Sequence, residues 1–559
     1  MKAISDETNL ERIEHKSKKN MALGTVLGYI AVLISVVSGL VLVPWLIDKV
    51  GKEEYGLYGL ATSIISIFLM DFGLSTTTTT YLAKLRANND KNGVERFLSA
   101  IFKIYLMLDI IFVVVIAGIY FAAPLIYQKS YNPQQIETLQ ICLIIVGGYT
   151  LVNFPSMTFT NVISTYEKFG MNKLGEIIQK LTYFVMTIIC IHFHWGVIGI
   201  TAVNAISGLI AVVYRFLYMR FYLNVHLDLR KGISKTEMKE IFTFSAWGLI
   251  LAITNRLIFN ITPSILGIVS NATEVALFTV VITMEGYIYT FGSMTASFFL
   301  AKIARTEATG SEEEKIAHLQ ALAEKIGKLQ FAVIALIVLG FASVGQEFVL
   351  FWMNGDLSMM NIYWCIVAIT AYEIVSIPEA IFNGAMYTNG HIKPLAINSI
   401  AKAVINLSLS FVLSYFWGAM GAAISIMIAR LVDLLLNNIA YKKYLKVSLG
   451  KFFKTVYIRG AITTVISLGV GLLLHYIVPL YHGDVKYKLF FNGIVFVLVY
   501  SLCTLFITFK KNERLYFIDI ILRLLKIRKN KAPKQEVNND EIKAYGDAYE
   551  DEYLDDLGY

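Results

Sequence analysis

Apolar residues in this chain run together for 20 or more positions at a stretch, and that continuity limits the fold more than any motif does. A membrane-spanning helix needs about 20 consecutive apolar residues, whereas a spanning strand alternates in character over about ten. The runs therefore predict an all-α polytopic membrane protein, because a helix satisfies its own backbone groups inside hydrocarbon. Composition agrees, with 56% of the 559 residues hydrophobic and 16% charged. Measured against that length, the runs place about fourteen helices, near 24–47, 56–82, 98–127, 136–164, 174–193, 197–220, 241–266, 275–301, 329–349, 360–388, 394–416, 418–440, 458–480 and 488–509.

Polar residues 1–20 precede a first apolar run too long for a cleavable signal, so the first helix is expected to insert the chain itself. Connections at 83–97, 221–240, 302–328 and 441–457 are rich in Lys and Arg, while those at 267–274 and 350–359 carry neither. Through fourteen crossings this alternation stays in phase and predicts both termini on the cytoplasmic side. The basic excess is thus expected to meet anionic lipid headgroups rather than nucleic acid. Cys142, Cys190, Cys365 and Cys503 lie in or beside apolar runs without metal spacing and read as small buried hydrophobes. No metal site, catalytic constellation or cofactor motif emerges, and a non-enzyme is expected. Residues 511–559 form a cytoplasmic tail whose acidic end, nine Asp or Glu against one Lys in 536–559, predicts disorder after residue 534.

Two segments repeat about 220 residues apart. Glu54, Asp71-Phe72-Gly73 and Leu82-Ala83-Lys84-Leu85-Arg86 are echoed by Glu274, Phe291-Gly292 and Leu300-Ala301-Lys302-Ile303-Ala304-Arg305. Pro155, Lys180 and Trp195-Gly196 through Gly199 are echoed by Pro378, Lys402 and Trp417-Gly418 through Gly421. The repeat predicts an N-lobe at 21–222 and a C-lobe at 235–440 with six crossings each, equivalent helices pointing the same way, plus two added helices in 455–510.

Charge inside hydrocarbon is costly, so intramembrane ionisable residues are candidates for function. Arg256, with Asn255 beside it and Asn260 one turn on, suits an anion such as pyrophosphate, because a guanidinium makes paired bonds to oxygen. A buried pair with Glu285 or Asp71 is its structural alternative. Lys180, Lys402 and Arg215 lie nearer the cytoplasmic side and read as a basic vestibule or as interfacial anchors. The hydroxyl run Ser75 to Thr80, with Thr77 and Thr78 at its centre, either eases helix packing or lines a polar cavity. Asp71, Asp109, Glu285 and Glu373 are candidates to bind a proton or sodium ion during transport. Pro155 and Pro378, with Gly73 and Gly292, are expected to bend or deform helices in conformational exchange.

The motifs Glu54-Tyr55-Gly56-Leu57-Tyr58, Asp71-Phe72-Gly73-Leu74, Tyr166-Glu167-Lys168-Phe169-Gly170 and Trp195-Gly196-Val197-Ile198-Gly199 carry a family resemblance over about residues 20–510. The chain resembles bacterial polysaccharide-biosynthesis membrane proteins, in particular O-antigen or capsule repeat-unit flippases of the multidrug/oligosaccharidyl-lipid/polysaccharide exporter superfamily. The resemblance implies a V-shaped pair of six-helix lobes around a basic cavity in the bacterial cytoplasmic (inner) membrane. It also implies alternating-access movement of an undecaprenyl-pyrophosphate-linked oligosaccharide to the outer leaflet, with Arg256 in the cavity. A cation-coupled drug or metabolite antiporter, a glycan ligase or polymerase and a nontransporting scaffold remain alternatives. The expected partners are the polyprenyl-pyrophosphate-linked oligosaccharide, anionic lipids and polysaccharide assembly proteins, with the chain itself a monomer.

Overall fold

The computed structural model describes residues 2–68, 74–88, 90–228, 230, 235–306, 312–477, 485–509 and 514. Every long regular element among them is a helix. The first half contains α1 (Lys2–Val50), α2 (Lys52–Phe68), α3 (Leu74–Ala87), α4 (Lys91–Tyr127), α5 (Pro133–Thr165), α6 (Phe169–His192) and α7 (Gly196–Leu217). The second contains α8 (Lys235–Val269), α9 (Ala272–Thr306), α10 (Glu312–Trp352), the short α11 (Asn361–Thr370), α12 (Glu373–Ser376) and α13 (Ala380–Thr388), and α14 (Ile392–Tyr444). The short α15 (Leu449–Phe453) leads to α16 (Arg459–Ile477) and α17 (Val485–Cys503), which pack on α10. Eleven helices among the described residues are long and apolar enough to cross a membrane.

Local chemistry explains the helix starts. Asn132 caps α5 reciprocally with Gln135, and Pro133 occupies the first turn, where a missing N–H costs nothing. Asp90 caps α4 by accepting from the Gly93 N–H. Both helices then carry apolar residues to opposite fates. On α4, Met107, Ile110, Val114 and Phe121 are exposed, as hydrocarbon-facing residues would be, while Leu98, Ile101 and Tyr105 are buried.

The 53 residues of α14 are a hairpin rather than one rod. Gly418 adopts φ 53° and ψ −134°, and a side chain at Gly421 would collide with the Leu413 carbonyl, so the chain folds back on itself. The two arms are stitched by Ser410–Ser425 at 2.6 Å, Lys402–Asp433 at 3.0 Å and Asn398–Asn437 at 2.9 Å. This is the turn expected between 394–416 and 418–440. Gly196, at φ 61°, makes the corresponding turn between α6 and α7.

Other boundaries move. The helix expected at 329–349 extends back to Glu312, and α1 begins at Lys2 rather than after residue 20. The helix expected over 360–388 is split into α11, α12 and α13, with turns at 371–372 and 377–379. Pro378 lies in the second of these turns, where its missing N–H and ring prevent regular continuation. Pro155, its counterpart, stays inside uninterrupted α5.

The largest apolar core joins the two halves, with Leu42, Leu46, Leu57 and Leu60 in the same cluster as Val275, Leu277, Phe278 and Val281. A second core lies within the C-lobe and reaches Phe496 and Tyr500 of α17; a third holds α3, α4 and α5 together.

Candidate functional site

The lobes meet at the end where α2 and α9 begin. Gly56 faces the Ala272 carbonyl and Gly59 faces Thr279, so closely that a side chain on either glycine would collide. Small residues thus bring two backbones together, which is how helices gain dispersion contact in lipid. Polar bonds reinforce the seam: Trp352 Nε1 donates to the Leu40 carbonyl at 2.7 Å, Tyr287 to Ser35 at 3.1 Å, and Ser130 to Ile268 at 2.9 Å. Ser63 donates to the Asn260 carbonyl, and Lys52 pairs with Asp356 while donating to Ser358 Oγ at 2.5 Å. A polar cleft of about 460 Å³ remains at this end, lined from both lobes by Glu53, Asn132, Gln135, Asn271 and Glu274 among others.

At the same end the two sequence echoes touch each other. Glu274 Oε2 accepts from the Ala419 N–H at 2.7 Å, immediately after the Gly418 turn. Glu54 Oε2 accepts from Val197, immediately after the Gly196 turn, at 3.4 Å. In each lobe the acid at the start of one helix caps the N-terminus of another, where unsatisfied N–H groups and the helix dipole favour negative charge.

Deeper in the C-lobe, helices converge on Arg430. Its guanidinium meets Glu285 at 2.5 Å and Glu373 at 3.6 Å, donates to the Ile369 carbonyl at 3.3 Å, and lies over the rings of Phe259 and Tyr372. Arg430, Glu285 and Glu373 are 6%, 4% and 1% exposed, so this is a buried ionic cluster with two carboxylates around one cation. Neither Glu373 oxygen has a hydrogen-bond partner. One turn further along, Asp433 takes the Lys402 ammonium, and Glu379 accepts from Asn438 at 3.1 Å.

The sequence-predicted residues divide accordingly. Glu285 and Glu373 are brought together, but around Arg430; the alternative pairing of Glu285 with Arg256 is corrected, since Arg256 is exposed on α8 while Glu285 is held by Arg430. Lys402 is an ion-pair partner of Asp433. Arg215 lies against Gly175 of α6, its Nε buried without a hydrogen-bond partner, and Lys180 is half-buried one turn away on α6. Thr78 and Asp109 are buried, each with a side-chain oxygen lacking a hydrogen-bond partner. Asn260 engages through its carbonyl. Gly292 packs against Ile334 and Ile377, beside the break at Pro378. Asp71 and Gly73 lie outside the described residues, as do the side chains of Thr77 and Asn255 and all of the tail beyond Arg514.

Arg430 and Asp433 are absent from the sequence reading, although both interrupt an apolar run. The signal was their distance from the turn: Lys402 lies 16 residues before Gly418 and Asp433 lies 15 after it, which sets them opposite one another once the glycine reverses the chain.

This arrangement matches known membrane transporters in fold. The lipid II flippase MurJ in an inward closed conformation aligns with a TM-score of 0.67 at 14% identity, covering 89% of this chain and all of that one. An inward-facing multidrug resistance MATE family transporter of the MOP superfamily aligns at 0.61 and 13% identity, covering 76% of this chain and 98% of that one. The MATE multidrug transporter DinF-BH aligns at 0.57 and 14% identity, covering 76% and 95%. No curated protein matches the sequence significantly. The family described as polysaccharide biosynthesis protein matches residues 21–301, half of the chain. With its all-helical, multi-pass fold, the chain belongs to the polysaccharide biosynthesis protein family.

Proposed function

We propose that this protein is a flippase that carries a polyprenyl-pyrophosphate-linked oligosaccharide repeat unit across the bacterial cytoplasmic membrane by alternating access. The observation that carries the reading is the seam between the lobes. One end is closed by bonds between α1 or α2 and the second lobe, few enough to break and remake as the lobes rock. The family match and the flippase-like and transporter-like fold support membrane transport of a lipid-linked substrate in place of catalysis. Arg256, exposed on α8, together with Lys180 and Arg215, would meet the pyrophosphate, while the lipid tail stays in hydrocarbon. The basic connections support a reading with both termini on the cytoplasmic side.

Coupling to a proton or sodium ion is the second part of the proposal, carried by the carboxylate excess around Arg430. A cation bound between Glu285 and Glu373 on one side of the cycle would change the balance between lobe arrangements, and only such differential binding can drive the exchange. The same observation favours the alternative reading, a cation-coupled drug or metabolite antiporter.

Leaflet translocation of defined lipid-linked oligosaccharides in proteoliposomes tests both readings, with Arg256→Ala and Asp71→Asn beside the unaltered chain. Translocation by the unaltered chain and its loss in Arg256→Ala is the expected result. Folded protein that moves no member of a broad lipid-linked panel overturns the flippase; unchanged transport by Arg256→Ala removes only that residue's role.

A further inference from the structure

The first helix of each lobe carries a proline within its span, Pro44 in α1 and Pro263 in α8. A helix is laddered by each residue's N–H bonding the carbonyl four residues back, and a proline has no N–H to give. In α1 the carbonyl left open by Pro44 is that of Leu40. It is filled from the other lobe: Trp352 Nε1, at the end of α10, donates to it at 2.7 Å. Ser35 makes the contrast. Its carbonyl already serves the ladder through Gly39, so the Tyr287 hydroxyl, at 3.1 Å, adds a second bond to an occupied acceptor, whereas Trp352 fills an empty one.

The donor is held in place. Trp352 is buried, and its ring stacks on that of Phe348 with centroids 5.5 Å apart. The body of α1 packs chiefly on α6 of its own lobe, so the bonds from Trp352 and Tyr287 are what tie it to the second lobe. The pattern recurs in α8, where the carbonyl of Asn260, in the turn before Pro263, accepts from Ser63 of the first lobe. In both lobes a backbone acceptor beside a proline is met by a side-chain donor from across the seam. A buried acceptor that loses its donor keeps the cost of its desolvation.

We infer that Pro44 and Trp352 form a latch on the closed end: the proline opens the Leu40 carbonyl, and the indole N–H satisfies it only while the lobes are together. Separating the lobes takes that donor away, and α1 has no N–H of its own to replace it. The ligand-free chain therefore rests with this end shut, and a ligand that opens it must bind the open arrangement more tightly. The latch's place in a transport cycle rests on the flippase reading; the latch itself does not.

The test reads the seam directly. Gln128 and Leu357 are exposed at the closed end in opposite lobes, and ketone-bearing residues introduced there take spin labels without touching the natural cysteines. Double electron-electron resonance on the full chain in nanodiscs, without ligand, then measures the populations of short and long distances. The unaltered chain is expected to show chiefly the short one. Trp352→Phe keeps a ring on Phe348 and removes the N–H, and is expected to raise the ratio of long to short about fivefold, the worth of one hydrogen bond. Pro44→Ala returns a helix N–H to the Leu40 carbonyl and is expected to raise the ratio as well. The double variant is expected to open no further than the more open single one, because both changes act on the same bond; independent packing losses would multiply. If Trp352→Phe does not fold, Pro44→Ala carries the test alone. A folded single variant with the unaltered ratio, or two changes that multiply, overturns the latch. An unaltered chain that translocates no lipid-linked oligosaccharide while its variants show these coupled shifts overturns the flippase and leaves the latch standing.

Discussion

The two lobes agree at the closed end and disagree in their interiors. Each has a left-handed glycine, Gly196 or Gly418, followed by a helix N-terminus capped by a repeat-related glutamate. About halfway down the hairpins the likeness ends. Arg430, the cation at the centre of the C-lobe, corresponds by the 222-residue spacing that separates Lys180 from Lys402 to Gly208, where the ring of Tyr149 packs instead. Asp433 corresponds to Ala211, and the broken helix around Pro378 corresponds to uninterrupted α5. The lesson is that duplication preserved the turns that set helix placement, while each interior acquired its own charge: acids in excess in one, bases in the other.

The largest effect that breaks this comparison is expected from Arg430→Met. It leaves Glu285 and Glu373 buried without their cation, and removing one partner of a buried ionic group costs about 3–5 kcal/mol. Thermal unfolding in detergent should show a marked loss for this variant. If its stability matches that of the unaltered chain, the cluster is not the C-lobe's organising centre. Restoring the cluster's original net charge with Glu285→Gln in the Arg430→Met background should recover part of the loss, which a simple packing defect would not do.

A smaller and asymmetric effect should separate the two caps. Losing a helix cap costs about 1 kcal/mol. Because Glu274 holds Ala419 at 2.7 Å and Glu54 holds Val197 only at 3.4 Å, Glu274→Ala should destabilise more than Glu54→Ala. Hydrogen exchange at the N-termini of the two second arms measures this directly. Equal protection losses would make the caps equivalent and erase the asymmetry.

The smallest effect belongs to the bridge between lobes. Burial alone would raise the Asp356 carboxyl, but hydrogen bonds from Lys52 and Ser358 outweigh it and hold the group below its ordinary value. Its contribution is therefore complete above the unfolded carboxyl pKa, about 4, and is lost as pH falls through the lower folded value. A partly exposed pair of this kind contributes about 0.2–1 kcal/mol. Lys52→Ala should flatten the acid limb of stability against pH by that amount; an unchanged limb would show that the pair does not hold the lobes together.

Much of this frame was legible beforehand. Uninterrupted apolar runs specify helices because a barrel strand would alternate in character, and Trp195-Gly196 and Trp417-Gly418 marked both tight turns. What the residues could not reveal singly was contact: Glu54 and Trp195-Gly196 are far apart in sequence and meet only when α2 and α7 share an end. Arg430 is hard to single out because helix depth alone, without the register imposed by Gly418, does not show that three helices and a turn deliver side chains to it. The break of the helix at 371–379 was foreshadowed by Pro378, but Pro155 in a continuous helix shows that proline alone does not decide it. In the C-lobe helix Arg430 bonds the Ile369 carbonyl beside the first turn.

The one-residue turn at Gly418 also bears on how the protein is made. A hairpin without a loop offers the translocation machinery no polar segment to park outside, so its two arms must enter the bilayer together. A lysine near the middle of a lone helix costs about 2.5–3.5 kcal/mol to insert. Lys402 enters beside Asp433 and arrives neutralised. Lys180, in the sister hairpin, has Ala211 at the position matching Asp433, so more of the cost of its arrival falls on the nascent chain at the ribosome.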